Sequence, residues 1–267
     1  MASELKNPPL IEAIIEIKWK LEKPSPDTLV DPGYKLASGR LYDRVKDKFG
    51  FIQTLPITSI PDEITPYLVR HQFRVSDNNW PLVQFGPGIA SINYTSPYSW
   101  EDFQETIKYF FPLLLDAYSD LNPEKGKDLL KINSVVLRYV NGLEWNWLEN
   151  DTLPFLSEKL HTKFSFPEGI SQEKEIDGTP ININLRLGYP IKEPKGFAEV
   201  RISTGTIGQK KGLIWELFFI SRNDEAPQIS DMGNFIIWST KAHDLIEKWF
   251  KELTEGELSA QFNGIAR

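Results

Sequence analysis

Two stretches of the chain alternate apolar and polar side chains in the way that a half-buried β-strand does. In residues 11–19 every odd-numbered side chain is apolar, while Glu12, Glu16 and Lys18 occupy positions between them. A second alternating stretch, Ile132–Glu144, begins the second half of the chain. Because successive side chains of a strand point to opposite faces, this period of two predicts one buried and one polar face in each strand.

A similar order of elements follows each of these strands: a short helical pattern, several strands rich in β-branched residues and one strongly amphipathic helix. The first half predicts a helix over 34–49, strands over 67–76, 81–85 and 89–94, and a helix over 100–118. We expect Pro112 to kink this last helix or to end its regular part. The second half predicts a helix over 151–161, strands over 181–187, 197–203 and 213–221, and a final helix starting near Thr240. The repeated order indicates an approximate internal duplication.

This pattern predicts an α+β fold built from two similar modules, each an antiparallel sheet packed by an amphipathic helix. The boundary follows from the polar segment 122–127, which contains Pro123 and Gly126 and lies between two periodic segments. We therefore expect a first α+β module over residues 1–121, a linker over 122–130 and a second α+β module over 131–267.

Composition narrows the classes of function. Acidic residues outnumber basic ones, 37 to 30, and the net charge of −7 argues against a general nucleic-acid binder, which needs clustered Lys and Arg. The chain has no cysteine, which excludes disulfides, thiolate nucleophiles and cysteine-based metal sites. No apolar run resembles a signal peptide or a membrane span. We therefore expect a cytoplasmic protein with no membrane partner.

No catalytic or metal-binding arrangement is recognisable in the sequence. His71, His161 and His243 share neither a metal-ligand spacing nor a Ser-His-Asp order. The glycine-bearing segments 86–88 and 205–212 each lie between two predicted strands, whereas phosphate-binding glycine loops lead from a strand into a helix. The catalytic residues are therefore unknown, and we expect no metal and no cofactor.

Polar side chains on the predicted strand faces are the strongest candidates for function. Several are arginines beside apolar neighbours, and such an arginine needs a carboxylate, a carbonyl or a bound anion. The candidate ligand- or partner-binding residues are Arg70, His71, Arg74, Arg138, Asn141, Asn184, Arg186, Glu199 and Arg201. One interpretation is a solvated face with cross-strand ion pairs, which is ordinary in antiparallel sheets. The other is a shared cleft or partner-binding surface between the two modules.

Two motifs resemble those of a known family. The opening residues 7–19, NPPLIEAIIEIKW, and the central Arg138-Tyr139-Val140-Asn141 are similar to signatures of a sporadically distributed prokaryotic family of about this chain length. The resemblance implies a bacterial or archaeal protein of patchy occurrence, as in mobile or defence-linked gene neighbourhoods. It brings no established catalytic residues, so none are carried over.

Two hypotheses of function follow from these patterns. The first is a binding protein that engages a partner protein or a small anionic ligand at the inter-module surface, within a defence or toxin–antitoxin locus. The second is a cysteine-free enzyme acting on a nucleotide or nucleic acid. In that enzyme Arg138 and Arg201 would clamp phosphate, and His71 or Glu199 would be the general base. The absence of a recognisable catalytic arrangement favours the first hypothesis.

We also expect the protein to form a homodimer or a stable complex with another protein. Open sheets leave unpaired strand edges, and aromatic side chains are enriched at protein interfaces. The tryptophans that the pattern places near strand ends or in loops, and therefore at such a contact, are Trp80, Trp145, Trp147 and Trp238.

Overall fold

The computed structural model describes residues 5–119, 130–163 and 180–265, together with residues 167, 169, 173, 175 and 176. Its strands are β1 (Leu10–Trp19), β2 (Glu22–Ser25), β3 (Thr28–Val30), β4 (Phe51–Thr54), β5 (His71–Arg74), β6 (Leu82–Gly86), β7 (Ile89–Tyr94), β8 (Ile132–Glu144), β9 (Asn184–Lys192), β10 (Lys195–Ile207) and β11 (Lys210–Arg222). Its helices are α1 (Tyr34–Val45), α2 (Trp100–Ser119), α3 (Thr152–Glu158), α4 (Met232–Thr254) and α5 (Glu257–Phe262). The predicted linker lies outside the described residues except for Leu130.

Nine of these strands form one antiparallel sheet in the order β4-β5-β6-β7-β1-β8-β11-β10-β9. The mixed α+β class and the antiparallel pairing are thus confirmed. The sequence predicted a sheet for each module, whereas the structure places strands of both halves in a single sheet. The reason is that β1 pairs with β8, with Ile15 opposite Leu137 and Ile14 opposite Arg138.

The helices of the described chain lie on one face of this sheet, the helix face. Side chains of α1, α2 and α4 pack with Ile15, Ile92, Leu137 and Phe219 in a large core. A smaller core around Trp215 is covered by α3 and α5. These core side chains alternate with others that point away from the helices. We call that side the open face, and its central members are Glu12, Ile14, Glu16, Ser91, Asn93, Arg138, Arg201, Glu216 and Phe218. Ser91, Asn93 and Phe218 are buried, and the other six are half-buried.

Several predicted boundaries differ from the structure, among them that of β9, which spans Asn184–Lys192 rather than 181–187. Helix α2 continues through Pro112 to Ser119, so the proline does not end the helix, and the alternative that it kinks the helix stays a prediction. Helix α4 begins at Met232 rather than near Thr240, because the Asp231 side chain accepts a hydrogen bond from the Asn234 N–H and caps the helix. Strand β5 covers only His71–Arg74 of the predicted 67–76.

A buried carboxylate connects four elements of the first half. The Oδ2 atom of Asp31 accepts hydrogen bonds from Trp19 Nε1 at 3.0 Å, the Gly88 N–H at 3.0 Å and the Tyr118 hydroxyl at 2.8 Å. Its Oδ1 atom accepts from two backbone N–H groups at the start of α1, both at 3.1 Å. Burial raises the pKa of Asp31, and these hydrogen bonds oppose the rise. The carboxylate thereby joins β1, α1, the β6–β7 turn and the last turn of α2.

We predict that Asp31→Asn lowers the free energy of unfolding by about 2 kcal/mol. The amide avoids burying a charge, but its NH₂ group must face at least two donors, and each unmatched buried donor costs about 1–3 kcal/mol. Urea unfolding followed by circular dichroism measures the change. The matched control is Asp43→Asn on the exposed surface of α1, where Asp43 pairs with Lys46. Equal stability of the two variants would contradict this role of Asp31.

Candidate functional site

The open face has the opposite charge balance from the whole chain. Along the nine strands it carries nine basic and five acidic side chains, although the net charge of the chain is −7. The basic residues are Lys18, Arg74, Arg138, Arg186, Lys192, Lys195, Arg201, Lys210 and Arg222, and the acidic residues are Glu12, Glu16, Glu144, Glu199 and Glu216. A positive surface on an acidic protein is a feature that attracts anionic partners.

Five of these side chains form a row of alternating charge across β8, β11, β10 and β9, which we call the charged row. Arg138 Nε lies 3.7 Å from Glu216 Oε2, which lies 3.8 Å from an Arg201 guanidinium nitrogen. Arg201 Nε donates a hydrogen bond to Glu199 Oε1, and Arg186 Nε lies 3.7 Å from the same oxygen. The expected cross-strand ion pairing of Arg201 is therefore present.

The charged row keeps unused hydrogen-bonding capacity at its β8 end. Arg138 Nε and Glu216 Oε2 have no hydrogen-bond partner within the described chain, because 3.7 Å is too long for a hydrogen bond. The Phe218 ring is opposite Arg138 in the β8–β11 register, and the Arg201 guanidinium lies 4.5 Å from its centroid. An arginine and an aromatic ring side by side are typical of residues that dominate protein interfaces.

A chain of polar side chains continues the open face on the other side of β8. Asn93 Nδ2 donates to Glu12 Oε1 at 2.7 Å, and the Ser91 hydroxyl lies 2.7 Å from Asn93 Oδ1 and 3.0 Å from Gln84 Oε1. Sequence reasoning did not select these residues. The alternation of β7 could have indicated them, because the polar Ser91 and Asn93 alternate with the apolar Ala90, Ile92 and Tyr94.

Six of the nine predicted site residues lie on the open face. Arg138, Arg186, Glu199 and Arg201 belong to the charged row. Asn184 lies opposite Ser203 at the β9 edge. Arg74 is also on the open face, but in β5, near the edge of the sheet opposite to β9. Its guanidinium donates to Gln72 Oε1 at 2.8 Å and lies over the Trp80 ring.

The other three predicted residues lie elsewhere. His71 is on the helix face, between the rings of Tyr34 and Phe73, and its pKa is lowered by burial and by the charge of Arg70. Asn141 is buried on the helix face opposite Trp215. Arg70 precedes β5 and lies beside Tyr34 and Lys35 of α1. His71 is thus separated by the sheet from Arg138 and Arg201, so the structure does not bring together the phosphate clamp and the histidine base.

A second polar cluster lies on the helix face between the two halves. The Tyr139 hydroxyl lies 2.7 Å from that of Tyr98 and 2.9 Å from His243 Nδ1. The His243 ring stacks on Trp100 with a centroid distance of 4.1 Å. Burial lowers the pKa of His243, against the raising effect of Glu247. The sequence did not indicate this cluster because its members are far apart in the chain.

His243 also belongs to a group with the residue types of a metal site. Ligand atoms of His243, Asp244 and Glu247 lie within 4.8 Å of one another. Histidine nitrogen and carboxylate oxygen are ligands that zinc accepts. Asp244 is exposed, and exposed acidic groups are common without a metal ion. The prediction that the protein binds no metal stays a prediction.

Of the four tryptophans expected at a contact, Trp238 lies inside the fold, where its Nε1 atom donates to Ser221 and its ring packs on Phe219. Trp80, Trp145 and Trp147 are partly exposed. Trp145 packs on Phe155 of α3 with ring centroids 4.3 Å apart. Trp238 is therefore unsuited to a contact surface, and the expectation stands for the other three.

None of the described helices combines the length and the apolar character that a membrane crossing requires. Comparison with known protein families gives no match, and no curated protein is similar to the chain in sequence.

We predict that His243 makes the stability of the protein depend on pH. Its folded-state pKa lies below the ordinary 6.5, so the unfolded chain binds more protons in the window just below pH 6.5. The free energy of unfolding should therefore fall as the pH is lowered through that window. His243→Gln should reduce this fall, as measured by urea unfolding between pH 7.5 and 5.0.

His161→Gln, at an exposed histidine, is the matched control for this measurement. A pH dependence that is the same in His243→Gln as in the unmodified protein would contradict the assignment.

Proposed function

We propose that the protein is a binding protein whose open face engages an acidic segment of a partner protein. The observation that carries this proposal is the positive excess on the open face of an acidic chain. Such a surface accelerates the encounter with an anionic partner and fixes its orientation. The charged row and the neighbouring polar chain supply donors and acceptors for specific contacts.

The dimensions of the charged row favour a protein segment over a small ligand. The row crosses four adjacent strands, and because neighbouring strands are about 4.8 Å apart it extends over about 14 Å. Aliphatic side chains lie beside the charges: Ile14 is opposite Arg138, and Ile214 follows Glu216 on the same face of β11. Arginine, aromatic and aliphatic groups in one patch are typical of the centres of protein interfaces.

We further infer that the open face is shared by two duplicated modules, 1–121 and 131–267. Strand orders support this inference: β5-β6-β7-β1 in the first half corresponds to β9-β10-β11-β8 in the second. In each half the hairpin strands are followed by a long amphipathic helix, α2 or α4. The two halves meet at the β1–β8 pair, so a partner bound there would contact both.

A second copy of the chain is a less favourable occupant of the open face. Two positive surfaces facing each other would repel. The resemblance to a sporadic prokaryotic family points to a partner encoded in the same defence or toxin–antitoxin locus. Such a partner would carry an acidic segment.

The test compares two double variants for binding to the partner that co-purifies with the tagged protein from its native host. Arg138→Gln with Arg201→Gln removes two charges from the open face. Lys108→Gln with Lys251→Gln removes two charges from the exposed surfaces of α2 and α4 and is the matched control. Binding of the purified partner is measured by isothermal titration calorimetry, after circular dichroism shows that each variant is folded.

We expect the open-face variant to bind at least about tenfold more weakly, because each lost charge-assisted hydrogen bond contributes about 1.5–3 kcal/mol. The control should bind like the unmodified protein, and added salt should weaken its binding. Equal binding by both variants, or a loss confined to the control, would refute the proposal.

A further inference from the structure

A cavity of about 450 Å³ lies beside the first turn of α1, on the side of the proline-rich segment 56–66. We call it the Arg70 cavity. Its charged and polar lining includes Tyr34, Lys35, Thr58, Asp62, Glu63 and Arg70. The volume falls within the range of sites for small molecules.

Arg70 lines this cavity, and its buried guanidinium has an N–H donor without a hydrogen-bond acceptor among the described residues. The residue is only 3% exposed. Its backbone is fixed by hydrogen bonds with Phe85 and Leu55, and one terminal nitrogen donates to Thr65 Oγ1 at 2.6 Å. Its Nε atom has no hydrogen-bond partner, and no carboxylate of the described chain lies within ion-pair distance. The Nε atom is shielded from solvent, so an anionic ligand would reach the part of the guanidinium that lines the cavity, where it would offset the cost of a buried cation without a counter-ion.

Tyr34 adds a second donor to the same cavity. The residue is 6% exposed, and its ring packs against His71 and Phe85. The described chain offers its hydroxyl no hydrogen-bond partner. Burial raises the pKa of Tyr34 to about 12, with Arg70 lowering it and Asp62 raising it. The hydroxyl is therefore protonated at neutral pH and available to donate to a ligand oxygen.

The acidic residues of the lining limit the charge that the ligand can carry. Lys35 Nζ lies 3.3 Å from Asp62 Oδ1 and 3.9 Å from Glu63 Oε1. The formal charges of Lys35, Arg70, Asp62 and Glu63 sum to zero, although neither carboxylate forms an ion pair with Arg70. A ligand with two negative charges would be repelled by Asp62 and Glu63, whereas a single carboxylate fits the donors of Arg70 and Tyr34.

We propose that the Arg70 cavity binds the carboxylate of a small molecule, held by Arg70 and Tyr34. An ammonium group on the same molecule, as in an amino acid, would lie near Asp62 and Glu63. This site is on the helix-bearing side of the first half and is independent of the open face and its partner.

The test follows the Arg70 Nε–H resonance in ¹⁵N-labelled protein during titration with three probes at constant ionic strength: acetate, alanine and inorganic phosphate. Arg70→Lys assigns the resonance by removing it. We expect acetate or alanine to shift the peak with saturation, and phosphate to bind more weakly. Tyr34→Phe, which keeps the ring packing, should weaken carboxylate binding about tenfold, because a hydrogen bond to a charged group is lost.

The matched control is Tyr42→Phe, on the same helix but outside the cavity, which should bind like the unmodified protein. Tighter binding of alanine than of acetate supports the amino-acid form, and equal binding supports a simple carboxylate. No saturable shift with either carboxylate, tighter binding of phosphate, or unchanged binding in Tyr34→Phe would overturn the proposal.

Discussion

The pairing of β1 with β8 is the constraint on which the rest of the structure depends. Both strands are paired on their two edges, β1 with β7 and β8, and β8 with β1 and β11. Because the two halves join here, they form one nine-stranded sheet. In this sheet the residues of β1 and β8 that face the core lie opposite one another. Ile15 and Leu137 are opposite one another on the helix face, so all helices of the described chain can share that side.

The open face is the consequence of this arrangement. Arg138 of β8 lies opposite Ile14 of β1 on one side and opposite Phe218 of β11 on the other. The central strands therefore collect arginine, glutamate and apolar side chains from both halves at one place. Over the whole open face, outer strands included, basic side chains outnumber acidic ones by nine to five, and this excess on an acidic protein is the physical basis of the binding function that we propose.

Much of the local structure and most residues of the charged row could be predicted from the sequence, whereas contacts between elements far apart in the chain could not. The strand Ile132–Glu144 was predicted with its observed bounds, since alternation is a local signal. The predicted hairpin around 205–212 is the observed turn between β10 and β11, so Arg201 meets Glu216 across it. By contrast, the contact of Arg138 with Glu216 and that of Tyr139 with His243 depend on which strands and helices become neighbours. Periodicity does not encode that choice. The positions of Asn141 and His71 on the helix face, however, follow from the alternation itself, because each lies three residues from Arg138 or Arg74 in its strand.

Carbene footprinting of the protein alone and in complex with its partner tests the central claim most directly. The account predicts that binding protects β8, β10 and β11, with the largest change in peptides that contain Arg138 and Arg201. Peptides from the exposed surfaces of α2 and α4 should label equally in both states. Protection confined to those helices, with unchanged labelling of the three strands, would contradict the account.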